Sequence, residues 1–304
     1  MKKYKYLVGS GCSFTEVASP INPEYPKQIR WLERLGLDLG IETEKIYNMG
    51  MGGSGNEFIK LNLLYKLTEL LKVSHIKPSD IFVAVQWTGF ERCDLFVSDE
   101  IPTIGGLEKD LEPNHLGDTK KKPKHKLFGW VFSGAHIGRD YDVSQNPSGH
   151  ETETKMNYLT RWYKYYYTHQ GMWVNTLNNI LFVQNFCKSH NIDYVFCTGW
   201  DNVAGQDQIH GSHNGGSLNT LEQFNGFKFL WDTIDFDRFI FYSSNLPNFK
   251  MKKQNEGKIS DYGGMWQYMA ERGGINPDDN HPNKHGSKVW AEYIHNTIKD
   301  RKLL

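Results

Sequence analysis

A chain of 304 residues in which 35 Lys and Arg balance 35 Asp and Glu has no net field to draw it to nucleic acid or to an anionic membrane surface. The length allows one elaborated domain or two small ones with a substantial core. Aromatic residues at 14 %, nine Trp among them, serve core packing first and sugar or protein contact second.

Four cysteines, at 12, 93, 187 and 197, show no Cys-x-x-Cys spacing, which fits a reduced compartment better than a disulfide framework. No apolar run approaches the roughly 18 residues of a membrane span. Tyr4-Lys5-Tyr6-Leu7-Val8-Gly9 is too short and polar for a signal-peptide core. The expected setting is therefore cytoplasmic, with no signal peptide.

In chain order, a strand over 4–8 runs into Gly11-Cys12-Ser13-Phe14-Thr15. A helix over about 26–39 puts Ile29, Leu32, Leu35 and Leu39 on one face. A strand over 44–48 leads to the glycine-rich stretch Asn48 to Asn56, where Asn56 is placed to cap a helix reaching about Lys72. A strand over 80–86 ends in Gln86-Trp87-Thr88. Residues 90–157 break the alternation with Gly, Pro, Asn, Asp and Lys in irregular order, including the lysine run at 120–126, which reads as a solvated loop. A stretch of that length inside a domain reads as a lid or inserted subdomain. A helix over about 172–189, a strand over 194–197, a second inserted loop at 201–225, a strand over 239–242 and a helix over about 284–299 complete the chain. Strands alternating with helices predict an α/β fold: one domain over 1–304, a doubly wound parallel sheet with helices on both faces, and a site at the strands' C-terminal ends.

Two segments carry chemistry. Ser13 stands at the tip of the first strand, and Asp278 precedes His281 by three residues near the end of the chain. A serine needs a base to attack at neutral pH, and a histidine supplies it when a carboxylate fixes its tautomer. Other readings fit less well. Gly9-Ser10-Gly11 starts a dinucleotide fingerprint whose third glycine is replaced by Phe14. The Gly-x-Ser-x-Gly elbow is absent around Ser13. His210 with His213, and Asp279 with His281 and His285, lack the spacing of a zinc site, so neither metal nor cofactor is expected. Cys12 reads as a small buried residue of the turn, with a cysteine nucleophile as the alternative.

The order of these segments resembles the SGNH (GDSL-type) hydrolase family: Ser13 in the first block, Gly53 in Asn48-x-x-x-x-Gly53, Thr88 after the third strand, and Asp278-x-x-His281 at the end. Cys12 stands where the family has Asp, and Thr88 where it has Asn. The resemblance implies a carboxylic ester hydrolase working through an acyl-enzyme on Ser13. It also implies an oxyanion hole of the Ser13 and Gly53 N–H groups and the Thr88 hydroxyl. The expected partner is an acyl-ester substrate, with O-acetylated carbohydrate favoured by the aromatic residues of the insertion. No nucleic acid is expected, and a homo-oligomer stays open. The same residues would serve an acyltransferase, and a non-catalytic relative acting as a virion or surface binding part is the third reading. The composition looks like that of phage or low-GC bacterial relatives.

Overall fold

A computed structural model of the chain describes residues 4–16, 29–90, 92, 94–98, 128–132, 166, 168–199, 225–242, 264–278 and 281–303. The strands are β1 (Tyr6–Ser10), β2 (Ile46–Asn48), β3 (Ile81–Trp87), β4 (Asp94–Ser98), β5 (Phe128–Phe132), β6 (Asp193–Thr198) and β7 (Phe239–Ile240). The helices are α1 (Trp31–Asp38), α2 (Asn56–Leu71), α3 (His169–Ser189), α4 (Lys228–Asp232), α5 (Met265–Ala270) and α6 (Lys284–Asp300).

Five strands form one parallel sheet in the order β2-β1-β3-β6-β7. This is the order of a doubly wound sheet that reverses direction at β1, which opens a crevice at the C-terminal ends of β1 and β3. Side chains of a strand alternate between faces, so both faces of a central strand must be apolar when helices cover both. Val8, Val83, Val85 and Phe196 pack against Ile59, Leu63 and Leu67 of α2 and Trp173, Leu177 and Ile180 of α3. Leu7, Phe82, Ala84 and Val195 face the other way, onto Leu32 and Leu35 of α1 and Trp290, Ile294 and Ile298 of α6. Burying each such side chain contributes about 1.5–3 kcal/mol, and the two layers together fix the sheet that presents the β1 and β3 ends.

The structure corrects the reading of residues 90–157 as a wholly irregular stretch. β4 and β5 pair antiparallel in a separate two-stranded sheet, with Asp94 opposite Phe132 and Ser98 opposite Phe128. Five-residue strands leave too few alternations for period 2 to stand out in sequence. The rest of that insertion, the lysine run at 120–126, and the loop at 201–225 up to residue 224 lie outside the described residues. Among the described residues no helix is long and apolar enough to cross a membrane.

Candidate active site

The turn after β1 is closed by Thr15 and Glu16, whose N–H groups donate to the Cys12 carbonyl at 2.9 and 3.0 Å. It is pinned from below by a residue that sequence reasoning passed over, Gln86. Its Oε1 accepts from the Cys12 N–H (3.2 Å), the Cys12 thiol (3.4 Å) and the Thr15 hydroxyl (3.0 Å). Its Nε2 donates to the Trp87 carbonyl at 2.8 Å. Trp31 Nε1 completes the set by donating to Thr15 Oγ1 at 3.0 Å. A Cβ on Gly11 would run into Thr15 Oγ1 and Gln86 Oε1, so the amide reaches the turn only because residue 11 is glycine. The signal in sequence was a polar residue inside an otherwise apolar, fully buried strand, which needs internal partners. Cys12 is completely buried with its thiol on Gln86, while Ser13 is partly exposed.

The glycine-rich loop after β2 is tied to this turn. Asn48 Nδ2 donates to the Thr15 carbonyl (2.6 Å) and to Glu33 Oε1 (2.7 Å), and its Oδ1 accepts from the Gly50 N–H (2.9 Å). Met51 N–H donates to the Gly11 carbonyl at 2.9 Å. Burial pushes the Glu33 carboxyl up, opposed by the Asn48 hydrogen bond and the Arg30 charge. Gly53 has φ +77°, in the left-handed region that glycine adopts without steric cost. Neither its N–H nor that of Ser13 donates to an acceptor among the described residues.

His281 arrives from the loop before α6. That loop is braced by Asn276 N–H donating to the His281 carbonyl (2.8 Å), Asn283 N–H to the Gly274 carbonyl (3.0 Å), and a bridge between Ile275 and Pro282. Asn283 caps α6 by accepting from the Gly286 N–H at 2.9 Å. His281 Nε2 lies 2.9 Å from Ser13 Oγ. The Phe14 ring meets the imidazole edge-on, with centroids 5.5 Å apart. Asp278 is exposed, and its N–H donates to Asn276 Oδ1 at 3.3 Å. The structure thus brings Ser13 and His281 together.

Thr88 is the third expected oxyanion donor. It is 0 % exposed, and its hydroxyl is buried without a hydrogen-bond partner among the described residues. Its backbone is clamped by Asn56, which accepts from the Thr88 N–H (2.9 Å) and donates to the Thr88 carbonyl (3.0 Å). Asn56 is the first helical residue rather than the cap of α2, because its side chain is spent on Thr88 and on Thr176 Oγ1 (3.1 Å). The hydroxyl is enclosed in the protein, and substitution tests whether it serves as an oxyanion donor. Thr88→Val keeps the shape and removes an unpaired buried hydroxyl. It is expected to leave ester turnover unchanged and Tm no lower. A tenfold fall in kcat would return Thr88 to the oxyanion hole.

The start of α2 is capped instead by Asp94, whose carboxylate accepts from the Gly55 N–H (2.6 Å) and the Phe58 N–H (2.8 Å). Arg92 Nη1 donates to the Ser54 carbonyl at 3.1 Å. Removal from water pushes the Asp94 carboxyl up to about 7, against the two N–H donors and the Arg92 charge. The folded value lies above the ordinary one near 4, so in the pH window between about 4 and 7 the folded state holds a proton that the unfolded state has released. The stabilisation from Asp94 is full below about pH 4 and is lost as pH rises through 7. Asp94→Asn, which does not ionise, is expected to flatten the fall of Tm across that window. An unchanged Tm–pH slope would mean that Asp94 does not titrate there.

No family model matches the chain, and no curated protein matches it. A solved structure that does match is the X-ray crystal structure of protein YxiM from Bacillus subtilis, at 15 % identity and a TM-score of 0.37, over 98 % of this chain and 57 % of that one. The chain spans just over half the length of that protein, and a likeness this shallow transfers neither fold nor activity.

Proposed function

We propose that this protein is a serine ester hydrolase of the SGNH type, with Ser13 as nucleophile and His281 as its base. The observation that carries the reading is the 2.9 Å contact between His281 Nε2 and Ser13 Oγ, made across 268 positions of sequence. It lies beside the C-terminal end of β1, where doubly wound sheets bind ligands. In the proposed reaction Ser13 Oγ adds to the ester carbonyl carbon as its proton passes to His281 Nε2. The oxyanion accepts from the Ser13 and Gly53 N–H groups. Collapse breaks the bond to the alcohol, which leaves with the proton from the imidazolium. A water deprotonated by the same nitrogen then releases the acid and restores Ser13. Asp278 is the carboxylate proposed to orient the His281 imidazole. The substrate class is an acyl ester, with O-acetylated carbohydrate as the subclass to screen first.

A fluorophosphonate probe tests the reading directly. It is expected to label the wild-type protein and not Ser13→Ala, and absence of wild-type labelling overturns the proposal. Supplying an alcohol acceptor to the active protein separates hydrolysis from acyl transfer.

A further inference from the structure

Ser13 and His281 come from opposite ends of the chain, and each is braced within its own segment. Ser13 is held through Gln86 and the Gly11 carbonyl, His281 through Asn276 and the Gly274 carbonyl. Arg30, just before α1, touches both segments. Its Nε donates to the Glu16 carbonyl at 2.9 Å, three residues past Ser13. Its Nη1 donates to the Pro282 carbonyl at 3.0 Å, the residue after His281. The side chain is 1 % exposed, so neither bond competes with water. We propose that Arg30 is a positioning residue that sets the distance between His281 and Ser13 by bridging the backbones of their two segments.

The chemistry of the side chain fits the task. A guanidinium is planar and rigid and carries its donors on separate nitrogens, so two carbonyls bound to one fork are fixed relative to each other. A lysine ammonium keeps the charge but places all its donors on one atom of a flexible stem. The bonds go to carbonyls, which no neighbouring side-chain substitution removes. Displacement of a reacting group by about 1 Å costs on the order of 100-fold in rate. Loss of the bridge should therefore act on the chemical step and not on ester binding.

This inference rests on the ester-hydrolase reading, and its test separates the two. Arg30→Lys and Arg30→Gln are compared with wild type for folding by circular dichroism and Tm, and for kcat and KM on a short-chain nitrophenyl ester. His281 is followed in each by imidazole NMR, which needs no turnover. The expected result is folded variants whose kcat falls about 100-fold with KM within about twofold, and whose His281 Nε2 resonance moves toward that of Ser13→Ala. Equal kcat in folded variants, or a His281 resonance unchanged from wild type, overturns the proposal. Unfolding of both variants also overturns it, since Arg30 is then a residue of the fold alone. If the wild-type protein neither turns over ester nor takes the fluorophosphonate, the hydrolase reading fails. The NMR comparison then still decides whether Arg30 holds the pair.

Discussion

Ser13→Ala is expected to lower ester turnover by on the order of a millionfold in kcat, the scale seen when a serine nucleophile is lost. The substitution removes one oxygen from a partly exposed turn that Gln86, Trp31 and Asn48 hold through other atoms, so the fold should persist. His281→Ala is expected to cost as much. In the proposed reaction one proton passes between the two, 2.9 Å apart, so either alone leaves nothing for the other to act with. The double variant should then be no slower than either single one, because residues that work as a unit are not additive. The measurement is kcat on a short-chain nitrophenyl ester for the three variants, with Tm as the folding control. Folded Ser13→Ala protein with wild-type turnover would exclude Ser13 as the nucleophile. A double variant slower than either by the product of the two losses would exclude the pair as one unit.

Much of the scaffold was legible because it obeys period. α2 is predicted from Asn56 to about Lys72 and spans Asn56–Leu71, and α6 is predicted over 284–299 and spans Lys284–Asp300. The apolar runs at 80–86 and 194–197 fall within a residue or two of β3 and β6. What was not legible is tertiary. Gln86 shows as an anomaly in its strand, but its partners Cys12 and Thr15 lie 74 and 71 residues away, set only by the pairing of β1 with β3. Arg30 precedes a helix and looks like any N-terminal polar residue. Its link to Pro282, 252 positions on, exists only once α1 and α6 share a face of the sheet. The surroundings of Thr88 were not legible either. Its sequence position matches a donor, while Asn56 takes its backbone and leaves the hydroxyl inside. Asp94, which caps α2 from the start of β4, had no local signal because the capped N–H groups lie 36 and 39 residues before it.

Gly53→Val is expected to cost about 2.7–4 kcal/mol of transition-state stabilisation, the worth of one oxyanion donor. The reason is conformational. At φ +77° a β-branched residue is strained, and relief requires the peptide to rotate. Rotation swings the residue 53 N–H away from the oxygen it is proposed to meet, although the N–H itself survives the substitution. The neighbours do not follow, since Met51 is fixed to the Gly11 carbonyl and Ser54 Oγ to the Met51 carbonyl at 2.7 Å. The strain also lowers stability, by about 1–3 kcal/mol for one residue held in a sparsely populated region. Rate and stability therefore have to be read together, at a temperature well below the variant's Tm. A loss confined to kcat, with KM and fluorophosphonate access to Ser13 retained, marks Gly53 as a donor to the developing charge. A lowered Tm with kcat intact marks it as a turn glycine only, and the oxyanion then has the Ser13 N–H as its one proposed donor.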